Sequence, residues 1–381
     1  MRTRCPYRKT RSPVTIVSGI GTTNNGAPVE IRPFMGADVS DADLRRCHEL
    51  FVAKTRRTFP GLPQQPYASF AANWRLPRQS GGSGPRHAWA AYEADRLIGF
   101  GTIVYPSHMP DWAMPSVYVD EADWRRGIGT ALLREIVADA HAEGRTTLGN
   151  EQVRIGSEAE HWARAVGFAC AQARRWQMLH IADVDRARWD VPVPAGFRLV
   201  QWADAAPDEL VAAFAVARNA IADAPNGDSD HREPEWTVER VRRAEADIRA
   251  IGDDARYVVA VHEESGAVAG ITGLLLEPGR LDLCWQRDTA VVDRFRGLGL
   301  GLVIKSAMMR WVTAEFPGLE KVITNTAAEN AHMIRVNERI GYVRYADIGR
   351  FEASVERMRE KFAALDAIPV QRGESAPAPS V

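Results

Sequence analysis

Residues 288–305 read DTAVVDRFRGLGLGLVIK, and this stretch decides the fold that the sequence predicts. A largely β-branched run, residues 289–292, enters a turn with three glycines, and an apolar run follows from Leu302. This order predicts a strand, a glycine turn and a helix. The first turn of such a helix presents unpaired backbone N–H groups and partial positive charge, which suit a phosphate. We therefore predict a phosphate-binding turn at residues 296–301.

The motif in this turn narrows the kind of phosphate site. The dinucleotide fingerprint needs G-x-G-x-x-G and the P-loop needs G-x-x-x-x-G-K-[ST], and the turn matches neither pattern. It reads R-x-x-G-x-G from Arg296, Gly299 and Gly301. This pattern resembles the turn with which GNAT acetyltransferases hold the pyrophosphate of acetyl-coenzyme A. A second frame from Arg294 also fits, but the frame from Arg296 agrees with the other copy of the motif. The coenzyme-binding residues that the resemblance implies here are Ala290, Val291, Val292, Arg294, Arg296, Gly297, Leu298, Gly299, Leu300, Gly301 and Asn330.

An earlier stretch, residues 119–133, repeats the design. Gly127 and Gly129 precede Gly299 and Gly301 by 172 positions. Two further landmarks keep nearly the same offset, residues 31–32 with 197–198 and residues 166–168 with 340–342. Matched landmarks at one period indicate a duplicated domain, whereas the alternative is two unrelated glycine turns. The coenzyme contacts implied in the first copy are Val119, Arg125, Arg126, Gly127, Ile128, Gly129 and Thr130.

The chain is predicted to divide into two domains with an extension and a tail. Its 381 residues suffice for two domains of ordinary size. Proline restricts the backbone at residues 191–196, where we place the junction. The predicted parts are a flexible extension at 1–28, an N-terminal GNAT-like domain at 29–190, a C-terminal GNAT domain at 196–365 and a disordered tail at 366–381.

The order of strands and helices around each turn indicates a mixed α/β (α+β) architecture. The resemblance implies two GNAT-like domains in tandem, each with a splayed, mostly antiparallel sheet flanked by helices. Tandem copies are found in mycothiol synthase-like acetyltransferases.

Composition excludes several classes of partner. The net charge of −1 offers no broad basic field for nucleic acid or an anionic membrane. No apolar run reaches the ~18 residues that span a bilayer, and no secretory signal is recognisable. The four cysteines lie far apart without C-x-x-C spacing, so we predict neither a metal site nor a disulfide framework. A reducing, cytoplasmic location fits best. The oligomeric state stays open.

The two copies differ at positions that matter for chemistry. The first copy has Trp124 where Arg or Gln is usual, and its second helix has Gly156 where the family has Asn. The segment 330–342 of the second copy is similar to the family's N-x-x-A-[IL]-x-x-Y-x-x-x-G-[FY] helix. At the tyrosine position, which in the family returns a proton to the thiolate, the chain has Asn337 and, in the first copy, Ala163. We therefore expect a degenerate first copy and chemistry in the second.

Acetyl transfer to an amine needs a neutral amine, a held thioester and stabilisation of the oxyanion. The resemblance implies that splaying of the entry strand frees a backbone N–H within residues 290–292 for the thioester carbonyl. For the base we select Asp288 on the entry strand, with Glu329 and His332 as alternatives. Asn337 is included as the residue at the tyrosine position.

The acceptor is expected to meet an acidic loop. Asp223 and Asp228 lie, with Asp230 and Glu233, where the family covers the acceptor, and they can attract a cationic amine or form a solvated surface. The sequence thus predicts an acetyl-coenzyme A-dependent N-acetyltransferase that acts on the primary amine of a small molecule by direct attack. Alternatives are a non-catalytic acyl-coenzyme A-binding module, a protein lysine acetyltransferase and, as a weaker option, another nucleotide-binding enzyme.

Overall fold

The computed structural model describes residues 14–16, 28–35, 39–75, 84–277, 280 and 282–366. In these ranges the strands are β1 (Val14–Ile16), β2 (Val29–Pro33), β3 (Arg86–Glu93), β4 (Arg96–Val104), β5 (Trp112–Val119), β6 (Thr147–Arg154), β7 (Ala169–His180), β8 (Phe197–Ala203), β9 (Asp254–His262), β10 (Val268–Leu276), β11 (Leu283–Val291), β12 (Lys321–Ala327) and β13 (Val343–Ser354). The helices are α1 (Asp41–Thr58), α2 (Tyr67–Arg75), α3 (Ile128–Ala142), α4 (Glu158–Val166), α5 (Asp208–Arg218), α6 (Val238–Ile251), α7 (Leu300–Glu315), α8 (Ala331–Ile340) and α9 (Val355–Asp366).

The predicted extension and tail lie mostly outside the described residues. Within the extension, β1 pairs antiparallel with β2, with Val14 opposite Ile31. Its Val-Thr-Ile sequence is rich in β-branched residues, which favour an extended edge strand. At the other end, Asp366 is the last residue of α9 and also the first residue of the predicted tail.

The strands form one mixed sheet, with the order β1-β2-β3-β4-β5-β6-β13-β7-β12-β11-β10-β9-β8. Two of the described pairings are parallel, β5 with β6 and β11 with β12, and the others are antiparallel. Helices pack on this sheet in both halves, since α3 contacts β4 and α7 contacts β10. The prediction of a mostly antiparallel α/β fold is confirmed.

The two halves exchange their last strands at the centre of the sheet. β13 comes from the C-terminal half, yet it lies between β6 and β7 of the N-terminal half. In turn β7 lies between β13 and β12. Residues 190–196, where the junction was predicted, connect a short 3-10 helix that ends at Trp189 to β8. The halves therefore share one continuous hydrogen-bonded ladder.

Each half contains a pair of parallel strands that separates soon after it forms. β11 and β12 pair only from Leu283 to Trp285, and β5 and β6 pair only at Trp112 and Ala113. Beyond these residues the entry strands lose their backbone partners on that side, and side chains reach two of their carbonyls, Asn150 that of Pro115 and Thr324 that of Gln286. Each half thus has a cleft between its two parallel strands, and this splaying was predicted from the resemblance.

Helix ends follow local sequence signals. Asn330 begins α8 by accepting a hydrogen bond from the Met333 N–H at 3.1 Å, and Gly341 ends it with a φ of 117°. Asparagine is a favoured N-cap and glycine is favoured just after a helix, so the local sequence accounts for both ends. The apolar residues behind the second glycine turn make α7 the most deeply buried helix of the C-terminal core, with Ile304 and Met308 inaccessible to solvent.

Candidate active site

The turn before α7 has the geometry of an anion cradle. Gly297 and Gly299 have φ values of 82° and 77°, which residues with a Cβ adopt rarely. A Cβ added at either glycine would meet no atom within 4 Å, so the space over the turn is open. No side chain caps the first N–H groups of α7. The exposed amides and the helix dipole therefore fit a diphosphate, as the sequence predicted for residues 296–301.

Arg296 holds the turn together. Its Nε donates to the Val291 carbonyl at 3.1 Å, and its terminal nitrogens contact Asp293 at 3.0 Å and Asp223 at 2.6 Å. The structure thus places Asp223, predicted to meet the acceptor, against the phosphate turn. Arg294 is exposed and stacks on the ring of Phe295. Two arginines of this turn were predicted to bind phosphate. Of these, Arg294 is the one that forms no ion pair within the described residues.

The turn of the N-terminal half has the same backbone course. Gly127 has a φ of 79°, and Arg125, at the position of Gly297, has a φ of 64°. Trp124 replaces Arg296 and makes the equivalent bond, since its Nε1 donates to the Val119 carbonyl at 3.1 Å. The predicted departure at Trp124 therefore preserves the turn. The tryptophan and the arginine thus make the same hydrogen bond to the backbone of the entry strand, although only the arginine is positively charged.

The arginines of the first turn are paired with acids. Arg125 donates to Glu158 of α4 at 2.9 Å, and Arg126 contacts Glu93 at 2.5 Å and also Asp123. These pairs neutralise the positive charge that was predicted to meet phosphate here. Thr130 and Ile128 lie in the first turn of α3, as expected from the repeat.

The two copies differ in what packs against the last glycine of the turn. In the N-terminal half the indole of Trp162 on α4 lies 3.5 Å from the point where a Cβ of Gly129 would sit. At the equivalent Gly301 the nearest atom is a methyl group of Val291 at 3.8 Å. A large aromatic ring therefore lies against the turn of the first copy, whereas at the equivalent position of the second copy the nearest group is a methyl.

The entry strand β11 carries a bulge beside the cleft. Thr272 faces Thr289 and Leu274 faces Gln286, so β11 has one more residue than β10 between these pairs, at residues 287–288. The N–H of Val292 donates to Ala269 at 2.9 Å and so faces β10. Successive N–H groups of a strand point in opposite directions, which turns the Val291 N–H toward the cleft. Among residues 290–292, Val291 is thus best oriented to meet a carbonyl.

Asp288 lies at this bulge and is held by Arg218. The two side chains are 3.2 Å apart, and the Asp288 side chain is 42% exposed. Arg218 is buried and its guanidinium lies 3.3 Å from the centre of the Trp236 ring. Trp236 is fixed in turn by Asn219, which exchanges two hydrogen bonds with its backbone. The predicted base therefore has a rigid support that the sequence did not reveal.

Asn337 lies inside the protein. Its exposed fraction is 0%, and its amide nitrogen donates to Gln177 at 2.9 Å and to Thr326 at 3.4 Å. In this conformation the side chain links α8 to β7 and β12 and has no contact with the solvent of the cleft. Its predicted catalytic role thus has no geometric support here, because the side chain is buried against β7 and β12.

The remaining predicted residues are spread around the site. Glu329 is exposed just before α8, and Asn330 uses its side-chain oxygen as the helix cap. Asp228 is exposed, and its N–H binds the carbonyl of Ala171 on β7. The acidic loop therefore reaches across the sheet onto the N-terminal half, and the structure does not bring Asp223 and Asp228 together with Asp288.

The residue of the acidic loop that shares an electrostatic environment with Asp288 is Glu233. Burial raises the pKa of Glu233, and the Asp288 carboxylate raises it further. From the sequence, Glu233 is expected in the loop but is not among the candidate site residues. Arg174 and Arg350 are not among the candidates either, because single arginines in strands carry no motif.

A cavity separate from the glycine cradle lies beside the first turn of α7. It measures about 570 Å³ and is lined by Arg188, Val191, Leu302, Arg335, Glu338 and Arg339. Three of these side chains are cationic, and the cavity adjoins the helix whose N-terminus forms the glycine cradle. The combination suits an extended ligand with more than one phosphate.

The described residues contain no group of three His, Cys, Asp or Glu side chains placed to hold a metal ion. In the same residues, none of the helices has the length and apolar character needed to cross a membrane.

Two family models match the chain in sequence. The acetyltransferase (GNAT) family model matches residues 46–168, and an acetyltransferase (GNAT) domain model matches residues 197–343. Together they cover both glycine turns. None of the curated proteins has a matching sequence.

Solved structures share the tandem fold. A tandem GNAT protein from the clavulanic acid biosynthesis pathway aligns with a TM-score of 0.71 and 24% identity, over 86% of this chain and 98% of that one. A GCN5-related N-acetyltransferase from Sphaerobacter thermophilus aligns with a TM-score of 0.63 and 15% identity, over 86% and 96%. At these identities the likeness concerns the fold alone.

Proposed function

The chain belongs to the GNAT acetyltransferase family and is an N-acetyltransferase with two copies of the domain, and from this we propose that its C-terminal half acetylates the primary amine of a small molecule. The donor in this proposal is acetyl-coenzyme A, which the family generally uses. The observation that carries the proposal is the open glycine cradle at Gly297 and Gly299.

The cradle and the arginine-lined cavity support coenzyme binding together. The N-terminus of α7 would hold the pyrophosphate through main-chain amides. The neighbouring cavity offers Arg188, Arg335 and Arg339 to the phosphate on the coenzyme's ribose. The N-terminal cleft has Trp162 against its glycine turn, and its turn arginines are paired with acids. We therefore assign the chemistry to the second copy and a structural role to the first.

Acetyl-coenzyme A, when bound, would supply the acetyl thioester, whose carbonyl carbon forms a bond to the amine nitrogen while the C–S bond breaks. The Val291 N–H would donate to the carbonyl oxygen as negative charge develops there. Asp288 would accept a proton from the acceptor ammonium, directly or through a water, and Arg218 would keep the carboxylate in place. The acceptor ammonium loses two protons in all, of which one passes through Asp288 to solvent and one to the departing thiolate.

The loop that covers the acceptor side favours a small acceptor. Residues 224–237 cross from the C-terminal half onto β7, where the Gln172 amide donates to the Pro225 carbonyl at 2.8 Å and the Asp228 N–H donates to Ala171. A protein lysine needs an open groove for its flanking backbone. The covering loop therefore argues for a small molecule in place of a protein acceptor.

One observation favours a second candidate, an acyl-coenzyme A-binding module without turnover. Asn337 stands where the family has its tyrosine, and it is buried and hydrogen-bonded to Gln177. Without a side-chain acid there, the thiolate must take its proton from the acceptor nitrogen, directly or through water. The module would bind the coenzyme but release no thiol with any amine.

A matched pair of substitutions tests the assignment to the second copy. Gly299→Glu and Gly127→Glu each place a carboxylate in the same left-handed position before α7 or α3. We expect Gly299→Glu to lower thiol release by about 100-fold or more, since a charged side chain would fill the cradle and repel the pyrophosphate. Gly127→Glu should leave turnover unchanged. Thiol release with a panel of amines measures both.

Calorimetric titration with acetyl-coenzyme A separates the remaining alternatives. Tight binding without thiol release from any amine would favour the binding module. Equal loss of turnover in the two variants, each with a normal unfolding transition, would contradict a silent first copy. If both variants still bind acetyl-coenzyme A, the coenzyme binds elsewhere on the protein.

A further inference from the structure

A cluster of charged side chains lies where the two halves meet, on the face of the sheet covered by loop 224–237. Its members come from five different elements, and we call it the interdomain charge cluster. They are Arg174 of β7, Arg350 of β13, Glu151 of β6, His231 and Glu233 of the loop, and Asp288 of β11.

Arg350 is the fully neutralised cation of this cluster. It is 2% exposed, and it donates to Glu151 at 2.7 Å, to Asn226 at 3.0 Å and to Ser229 at 3.2 Å. His231 lies beside it, 3.7 Å from Glu151, and burial lowers the pKa of His231 to about 4. The histidine is thus uncharged at neutral pH. Arg350 and Glu151 therefore form a closed pair that fixes the loop to the sheet.

Arg174 differs from Arg350 because it has no partner. In the part of the chain that the structure describes, its guanidinium makes no hydrogen bond or ion pair, and its Nε is buried without an acceptor. Burial and the like charge of Arg350 lower the pKa of Arg174, while the charges of Glu151, Glu233 and Asp288 oppose that shift. A largely buried arginine remains charged and is costly to leave unpaired. The site therefore offers a bound anion a favourable place.

The position of Arg174 directs it toward the acceptor. Residues 172 and 174 share one face of β7, and the Gln172 amide contacts Pro225 of the covering loop. Arg174 lies opposite Ala327 at the end of β12, on the splayed side of the C-terminal cleft. Asp288 borders the same cleft from β11. The Asp288 carboxylate of one half thus acts electrostatically on Arg174 of the other half, near the end where β11 and β12 separate.

We propose that Arg174 binds a carboxylate carried by the acceptor, so that the enzyme selects amines that also bear a carboxylate, as amino acids do. The ammonium end of such a molecule would lie toward Asp288 and Glu233, and the carboxylate end toward Arg174. This inference rests on the proposed acetyl transfer in the C-terminal half. It favours a monoanion over a phosphate dianion, because the nearby Glu151 and Glu233 would repel the second charge. It also makes the N-terminal half part of the acceptor site.

The test compares Arg174→Gln with Arg175→Gln. Arg175 is the next residue on β7, faces the opposite side and pairs with Asp347 at 2.9 Å, so it controls for loss of an arginine from this strand. The substrates are ω-amino acids of increasing length, each paired with its ω-amino amide, and one ω-aminoalkylphosphonate. We expect the wild type to prefer the carboxylates. Arg174→Gln should reduce that preference in kcat/KM by about 10- to 100-fold, mainly through KM, whereas Arg175→Gln should retain it.

Equal rates for acids and amides in the wild type, or a preference that survives in Arg174→Gln, would overturn the inference while leaving acetyl transfer intact. Preference for the phosphonate would overturn it in favour of a dianion site. A binding measurement distinguishes failure of this inference from failure of the proposed acetyl transfer.

If no amine releases thiol, calorimetric titration with N-acetyl amino acids and with their amides still tests whether Arg174 binds a carboxylate. Binding that requires the carboxylate and is lost in Arg174→Gln supports the anion site. If neither the acid nor the amide binds, the anion site is refuted.

Discussion

Lys305 is a buried cation in the core of the C-terminal half. It is 1% exposed, and its Nζ lies 5.3 Å from the centre of the Tyr342 ring. Burial lowers the pKa of Lys305 to about 7. Since the unfolded chain retains the ordinary lysine pKa of about 10.4, it binds more protons than the folded protein between pH 7 and 10. This residue therefore makes stability rise with pH in that window.

We expect Lys305→Met to stabilise the protein at pH 7 by about 2 kcal/mol and to flatten the increase of stability between pH 7 and 10. Methionine fills a similar volume without a charge to desolvate. Urea denaturation at pH 7, 8.5 and 10 measures the free energy of unfolding. Lys321→Met, at a partly exposed position, is the control and should change stability by less than about 0.5 kcal/mol. A destabilised Lys305→Met would contradict this account.

Both halves contain the glycine turn, but the backbone strain in the turn differs between them. The C-terminal turn has Gly297 at a φ of 82°, and the N-terminal turn has Arg125 at 64°. A residue with a Cβ is strained in this region by roughly 1 kcal/mol or more. The exposed pair of Arg125 with Glu158 offsets little of this, because exposed ion pairs contribute about 0–1 kcal/mol. The first turn is therefore held in shape by its surroundings.

Two variants at this position separate strain from charge. Arg125→Ala removes the ion pair and keeps the strain, whereas Arg125→Gly removes both. We expect Arg125→Gly to be more stable than Arg125→Ala by about 1 kcal/mol, as judged by chemical denaturation. The same comparison at the exposed Arg243 of α6, where φ is helical, should give the opposite order, because glycine weakens a helix interior. Equal stability of the two Arg125 variants would show that the turn relaxes without strain.

At the scale of the molecule, the exchange of β7 and β13 makes the halves interdependent. β13 pairs with β6 and β7, and β7 pairs with β12, so each half alone would lose a neighbour along its central strands. Unpaired central strands expose backbone groups and apolar side chains. The cluster around Phe351 also mixes residues of both halves, since this side chain packs among N-terminal residues.

We therefore expect residues 29–190 and 196–366, expressed separately, to fail to fold cooperatively. Mixed or coexpressed, they should form a stoichiometric complex, and the intact chain should unfold in one transition by circular dichroism and fluorescence. Coincident transitions in the intact chain serve as the control. A sharp unfolding transition of either fragment by itself would contradict the dependence.

The sequence alone determined the local features. Glycines in a strand–turn–helix order predicted both cradles, because left-handed turns depend on a few adjacent residues. The ends of α8 at Asn330 and Gly341 are local in the same way. The repeat of the glycine turn 172 residues apart predicted a duplicated domain.

Only the tertiary structure decided the rest. The exchange of β7 and β13 depends on strand pairs far apart in the chain, and strand sequences do not encode their neighbours. That exchange buried Asn337 against Gln177 and brought Arg174 of one half to the cleft of the other. Such placements arise from long-range contacts, which is why no motif near either residue predicted them.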